Sequence, residues 1–193
     1  MDACFRRTRE ALEEALRELL AERDWDAIGV TGLCERAGVS RTTFYAHFDG
    51  REDLLDALLA SLERGLRSET NGRSLVTDGR LRFLAPLAAH VGRNRRTFAR
   101  VHGRAAGHPV ARRLAAMIER LVEAELGAWR RGQRTGSAGT ESAGEVPLAA
   151  FLGAGLHGAL VRWSATSTDA THLRLLEELD RIVARCLRTG REA

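Results

Sequence analysis

The sequence predicts an all-α protein of about nine helices, and three observations carry that prediction. Apolar residues recur with a helical period along most of the 193 residues. No segment shows the period-two alternation of a half-buried strand. Short stretches rich in Gly, Ser and Thr separate the periodic segments where helices must end. At 44% hydrophobic residues the chain has enough apolar material for a core, and it contains no internal repeat.

The elements follow in order. Ala11, Leu12, Ala15, Leu16, Leu19 and Leu20 mark one face of a first helix of about four turns, with acids and Arg on the other. "RDWDAIGV" ends it and turns the chain. A short second helix, "TGLCERA", stops at Gly38, whose missing Cβ suits the left-handed conformation that ends a helix. Ser40 then stands at the N-cap of a third helix over 41–48, so "GVS" is a tight turn between two short helices. Asp49 and Glu52 have capping-box spacing, and the fourth helix, 51–67, carries Leu54, Leu55, Leu58, Leu59 and Leu62 on one stripe. Beyond "SETNGRS", helices are expected over 80–91, 94–106 and 109–131, the last with Pro109 in its first turn. "RGQRTGSAGTESAGEVP" has the composition of a mobile loop, and two final helices are expected over 148–164 and 171–187.

Composition excludes several classes of function. No run of about twenty apolar residues exists and the first twenty positions are charged throughout, so the expectation is a cytoplasmic protein without a membrane span or secretory signal. Cys4, Cys34 and Cys186 are too few and too scattered for a disulfide framework or a zinc site. There is no Gly-rich phosphate loop, nucleophile elbow, HExxH or Cys/His cluster, so no catalytic residue, metal or cofactor is assigned and an enzyme is not expected.

Charge is unevenly placed. The formal net charge is +4 and every base is Arg, but residues 1–67 hold ten Arg against fourteen acids. Residues 93–113 hold seven Arg and no acid. The basic whole-chain balance is therefore no evidence for nucleic-acid binding by the N-terminal part, which must rest on local geometry. The 93–113 stretch reads as a solvated face, as an attractor for an anionic effector, or as a supplement to DNA phosphate contacts.

That local geometry is present in "GVSRTTFYAHF". Two short helices joined by a tight turn form a helix-turn-helix, whose second helix enters the DNA major groove. Phe44 and Phe48 can pack inward with Leu33 and Val39, leaving Arg41, Thr42, Thr43 and His47 for the groove. Arg can pair with guanine, Thr with a base or a thymine methyl, and Tyr45 can offer its phenol to a phosphate. A polar helical hairpin without DNA contact is the alternative.

The longer stretch "TREALEEALRELLAERDWDAIGVTGLCERAGVSRTTFYAHFDGREDLLDALL", residues 8–59, resembles the N-terminal DNA-binding domain of the TetR family of transcriptional regulators, in register throughout. "RTTFY" and "RDWDAI" are most similar to the branch containing the dihydroxyacetone-kinase regulators. The resemblance implies that Arg41, Thr42, Thr43, Tyr45 and His47 face DNA, and that Arg51 stands where the family usually places a phosphate-contacting Lys. Gly29, Cys34 and Gly50 depart from the family's usual Thr, Ala and small polar residue; a Gly N-cap in place of Thr costs a few tenths of a kcal/mol.

The same resemblance implies a helix-turn-helix domain over 1–50, a connecting helix over 51–67, and an effector-binding and dimerisation domain over 68–193. Phe83, Leu87, Phe98, Val101, His102, Met117, Leu121, Trp129, Leu156, His157 and Trp163 are candidates for an effector pocket, with ordinary core packing the competing reading. Leu148, Phe151, Leu152, Gly155, Leu173, Leu176, Leu179, Ile182 and Val183 are candidates for a homodimer interface, an intramolecular core being the alternative. Gly153, Ala154 and Gly158 are small enough to allow close helix approach. The function expected is a homodimeric, ligand-responsive repressor of a double-stranded palindromic operator, with a small-molecule effector as second partner. An activator, or an interaction module that retains the scaffold, is the alternative.

Overall fold

The computed structural model describes residues 3–69, 80–102, 108–133, 145–166 and 172–189. Among these residues it is all-helical: α1 Ala3–Glu22, a 3-10 turn Trp25–Ala27, α2 Val30–Ala37, α3 Arg41–Tyr45, α4 Arg51–Glu69, α5 Leu84–Arg93, α6 Arg95–His102, α7 Pro109–Gln133, α8 Glu145–Thr166 and α9 His172–Thr189. The all-α expectation is borne out. "SETNGRS" from residue 70 onward and the centre of the long loop, 134–144, lie outside the described residues. Contacts group the chain into two compact units that do not follow a linear cut: Met1–Leu62 with Arg96–Arg113, and Glu63–Arg95 with Leu114–Ala193.

The first unit is built on the α1 stripe. Leu12, Ala15, Leu16, Leu19 and Leu20 are all buried, as their spacing predicts. Leu33 of α2, Phe44 of α3, and Leu54 and Leu55 of α4 are also fully removed from solvent. Each such side chain contributes roughly 1.5–3 kcal/mol of burial. α1 starts well before its apolar stripe and runs for 20 residues, longer than the predicted four turns.

Polar ties fix the corners of this unit. Gly38 has φ 67° and ψ 32°, the left-handed conformation expected of it, and closes α2. The Arg36 guanidinium at the end of α2 donates to Glu18 and Glu22 on α1, at 3.0 and 2.7 Å. Those hydrogen bonds hold the Glu22 carboxyl below its ordinary pKa and raise that of Arg36. At the start of α4 the reach-back bond comes from Asp53, whose carboxylate accepts the Asp49 N–H at 3.2 Å, and not from Glu52. Glu52 pairs with the Nε of Arg51 instead.

Arg51 does more in this unit than its position suggests. One nitrogen, Nη1, donates to the carbonyls of both Trp25 and Ile28 at 2.8 Å, and the guanidinium lies over the Trp25 ring at 4.6 Å. Trp25 and Ile28 are themselves buried, so the α1–α2 corner is pinned to the start of α4. The basic stretch also contributes here. Phe98 and Val101 of α6 are buried, and Arg113 pairs with Asp56 at 2.7 Å.

In the second unit α5 packs on α8 and α9. Leu84, Leu87, Ala88 and Val91 of α5 are buried, as are Met117, Ile118, Leu121, Val122 and Leu126 of α7 and Leu152, Leu156, Leu160 and Trp163 of α8. A Cβ on Gly153 would stand 3.0 Å from the Glu119 backbone, so this glycine lets α8 approach α7 within one chain. α5 begins at Leu84, not at residue 80, although Leu81 and Phe83 are buried. The reason is a cap supplied from another helix: the Glu125 carboxylate accepts the N–H groups of Arg82 and Phe83 at 2.9 and 3.3 Å. Burial pushes the Glu125 carboxyl up to about 7, although these donors and nearby Arg82 favour its charged form.

Two predictions follow from these ties. A carboxyl whose folded pKa is about 7 against an ordinary 4.5 binds more protons in the native state between those values, so its contribution to stability falls as pH rises from about 4.5 to about 7. The loss is at most about 3 kcal/mol and is reduced by screening at the exposed edge. Melting temperatures of wild type and Glu125→Gln across that window should show a shallower decline in the variant; parallel curves would refute the coupling. Arg51→Ala strands two carbonyls and should destabilise the chain by about 2 kcal/mol, with Arg51→Lys recovering only part. Urea midpoints measure this, and an unchanged midpoint for Arg51→Ala would remove Arg51 from the structural role.

Candidate nucleic-acid interface

α3 is short because its ends are set by two different local interactions. The Ser40 Oγ accepts the Thr43 N–H at 3.0 Å, the N-cap expected from the sequence. After Tyr45 the chain tightens: the His47 N–H bonds the Phe44 carbonyl, three residues back, at 2.9 Å. The helix thus ends at Tyr45 and not at Phe48.

Phe44 is completely buried and Phe48 nearly so, which leaves the opposite side of α3 in solvent. Arg41 and Thr42 are exposed, and Tyr45 is 52% exposed with its ring edge-on to Phe44 at 5.4 Å. These three side chains offer a guanidinium, a hydroxyl with a methyl, and a phenol on one accessible surface. That is the chemistry needed for base edges and phosphates.

The other three predicted DNA-facing residues are placed differently. Thr43 is half-buried and its hydroxyl is engaged with the Ser40 hydroxyl at 2.8 Å, so it serves the cap. His47 does not extend the exposed row. In a 3-10 turn residues i and i+3 eclipse, which aligns His47 with buried Phe44. Its ring packs on Phe5 of α1 at 4.0 Å, and its Nδ1 is buried without a hydrogen-bond partner. Burial, reinforced by Arg9, lowers its pKa and so favours the neutral ring. Arg51 commits Nη1 to two carbonyls and Nε to Glu52, which leaves less of its guanidinium for a phosphate than the sequence suggested.

Sequence reasoning missed Phe5 and Arg9. Arg9 donates to the His47 carbonyl at 3.4 Å and lies over the Phe48 ring at 4.4 Å. The partners are 38 positions apart, beyond any local pattern. The one available signal was the run of three Arg at positions 6, 7 and 9.

The proposed pocket residues do not form one set. Phe98, Val101 and His102 belong to the first unit, whereas Phe83, Leu87, Met117, Leu121, Trp129, Leu156, His157 and Trp163 belong to the second. His102 stacks on Phe98 at 4.4 Å and its Nδ1 is bonded to the Phe98 carbonyl at 2.8 Å, with burial lowering its pKa. The ring is half-buried and already engaged within α6. The interface candidates also separate. Leu152, Leu179 and Val183 are buried within their own chain, so intramolecular packing accounts for them. Phe151 and Ile182 are 66% and 45% exposed, Gly155 faces open space, and Leu148 is half-buried. The side chains of Leu173 and Leu176 lie outside the described residues. The basic stretch divides too: the Arg95 guanidinium lies 5.8 Å from the Trp163 ring, whereas Arg96, Arg100 and Arg112 are exposed.

Comparison with known proteins agrees with this geometry. The family model of bacterial regulatory proteins, tetR family, matches residues 12–58. The HTH-type regulator AlkX of Mycobacterium tuberculosis is 41% identical over 46 residues, 24% of this chain and 22% of its own length. An uncharacterised HTH-type regulator of Bacillus subtilis, YxbF, is 37% identical over 54 residues, 28% of this chain and 14% of its own. The aligned part therefore spans less than a quarter of either relative. Whole-chain likeness comes from solved structures and concerns the fold. A TetR-family regulator from Syntrophomonas wolfei aligns with TM-score 0.68 at 18% identity, covering 91% of this chain and 94% of that one. The dihydroxyacetone kinase operon activator DhaS aligns with TM-score 0.59 at 16% identity, covering 91% and 96%. No helix among the described residues is long and apolar enough to cross a membrane. Residues 12–58, which include the exposed α3, thus match the helix-turn-helix segment of bacterial regulatory proteins of the tetR family, and the fold of the chain is similar to that of a solved TetR-family regulator.

Proposed function

We propose that the protein is a homodimeric, ligand-responsive repressor that reads a palindromic operator. The observation that carries this is the division of α3, with Phe44 buried and Arg41, Thr42 and Tyr45 presented together. One five-residue helix reads only a few base pairs, so useful specificity calls for two copies on half-sites about 34–36 Å apart.

The second unit supplies a surface suited to pairing. Along α8, Phe151, Ala154, Gly155 and Gly158 are exposed at helical spacing, and nothing lies within 4 Å of where a Cβ on Gly155 or Gly158 would be. A helix that buries one apolar face in its own chain and exposes a second, glycine-rich one has room for a partner helix at close range. Ile182 adds an exposed apolar side chain on α9.

Effector response is assigned to the second unit, where Phe83, Leu87, Met117, Leu121, Leu156 and Trp163 provide the apolar lining. A ligand acts only through its differential affinity for DNA-competent and incompetent conformers. Activation is the second reading, because the DhaS protein of similar fold is described as an activator. The sign then depends on operator position, which a reporter fusion reads directly.

Selection from a randomised duplex pool tests the reading head. Wild type should enrich a palindrome that Arg41→Ala/Tyr45→Ala does not; a folded, dimeric wild type that enriches nothing sinks the proposal. Phe151→Asp should convert the dimer to monomer in sedimentation runs while leaving helix content unchanged. A variant that still sediments as a dimer would move the interface elsewhere.

A further inference from the structure

The first two turns of α1 precede the segment that matches the family model, and their charge is arranged against the helix. Arg6, Arg7 and Arg9 occupy the amino end, no acid stands in the first turn, and Glu10, Glu13, Glu14, Glu18 and Glu22 all follow. A helix amino terminus carries partial positive charge and favours acids, so cations there are locally unfavourable. Local conflict of this kind is expected where function has overridden stability.

The structure shows what this end of α1 is attached to. Phe5 packs against the His47 ring at 4.0 Å with the planes tilted by 35°, while Arg9 covers Phe48 at 4.4 Å and donates to the His47 carbonyl. Both partners belong to the turn that leaves the reading helix. The amino end of α1 is therefore docked directly beside α3, and it stays there without using Arg6 or Arg7. Arg6 is largely exposed and makes only a long contact with Glu10, 3.7 Å. Arg7 is exposed and has no ion-pair partner among the described residues.

We propose that Arg6 and Arg7 form an added DNA-backbone site, with Phe5 and Arg9 as the positioning residues that hold it against the reading helix. This rests on the DNA-reading function proposed above. The major groove is about 12 Å wide and is bordered by phosphates on both sides. Once α3 lies in it, an element packed against the end of α3 stands at that border, within reach of extended arginine side chains. The ligand is the phosphodiester backbone, so these contacts add affinity and fix orientation without adding sequence preference. They also put cations beside the reading helix in a segment, 1–67, that is otherwise net acidic.

The test is a salt titration of binding to the duplex recovered from selection, followed by fluorescence anisotropy. Each lost phosphate contact lowers the slope of log K against log salt by about 0.9. Arg6→Ala/Arg7→Ala should bind several-fold more weakly at low salt, with a slope lower by about one to two, the same base preference and a melting temperature no lower than that of wild type. Arg17→Ala/Arg23→Ala removes equal charge from the later part of α1 and the residue just after it, and should leave the slope unchanged. Phe5→Ala should lower the slope with both arginines present, because the arm is no longer held. An unchanged slope in Arg6→Ala/Arg7→Ala, or an equal fall in the Arg17/Arg23 variant, overturns the site while leaving the DNA reader standing. Failure of the wild type to bind any duplex overturns both.

Discussion

The complete burial of Phe44 is the constraint on which the first unit depends. α3 is only five residues long and cannot hold its own conformation, since helix nucleation is unfavourable and few bonds repay it. It persists because the Phe44 side chain is fully buried, with its ring against Phe48, and because Ser40 caps its start. With Phe44 inward, the positions of Arg41, Thr42 and Tyr45 on the outer side follow from helical geometry alone. Recognition chemistry is thereby presented on a rigid element with no energy required to organise it.

A second layer of ties keeps that element in register with its neighbours. Gly38 sets the turn into α3, Arg36 fastens α2 to α1, and Arg51 fastens the Trp25–Ile28 corner to α4. These links differ in kind. The Arg36 pairs are exposed and screened by solvent, so their role is alignment more than stability. Arg51 satisfies two carbonyls and covers a buried indole, where a stranded acceptor would be costly. An arginine can do this because its fork has several donors on a flat, stackable plane; a lysine at the same place could reach a phosphate but not make this tie.

In the second unit, glycine and glutamate carry meanings that depend on what lies opposite. Gly153 and Gly155 are two residues apart on α8, yet one meets the α7 backbone and the other meets nothing. The first belongs to the fold and the second is available for a partner. Glu125 resembles any helix-surface acid in sequence, but it caps α5 from a neighbouring helix and titrates near neutrality because it is buried while doing so.

The sequence by itself determined the helical architecture, the Gly38 and Ser40 turn, the buried stripe of α1 and the outward Arg41, Thr42 and Tyr45, because each depends on residues within about four positions of one another. Only the tertiary structure decided the fate of Arg51, His47 and Glu125, of the α6 aromatics, and of the α8 and α9 leucines. Their partners are brought from distant parts of the chain, as with Arg9 and His47 or Glu125 and Arg82. Periodicity states that a side chain lies on one face of a helix; which carbonyl, ring or empty space that face meets is set by packing between helices, and no local spacing encodes it.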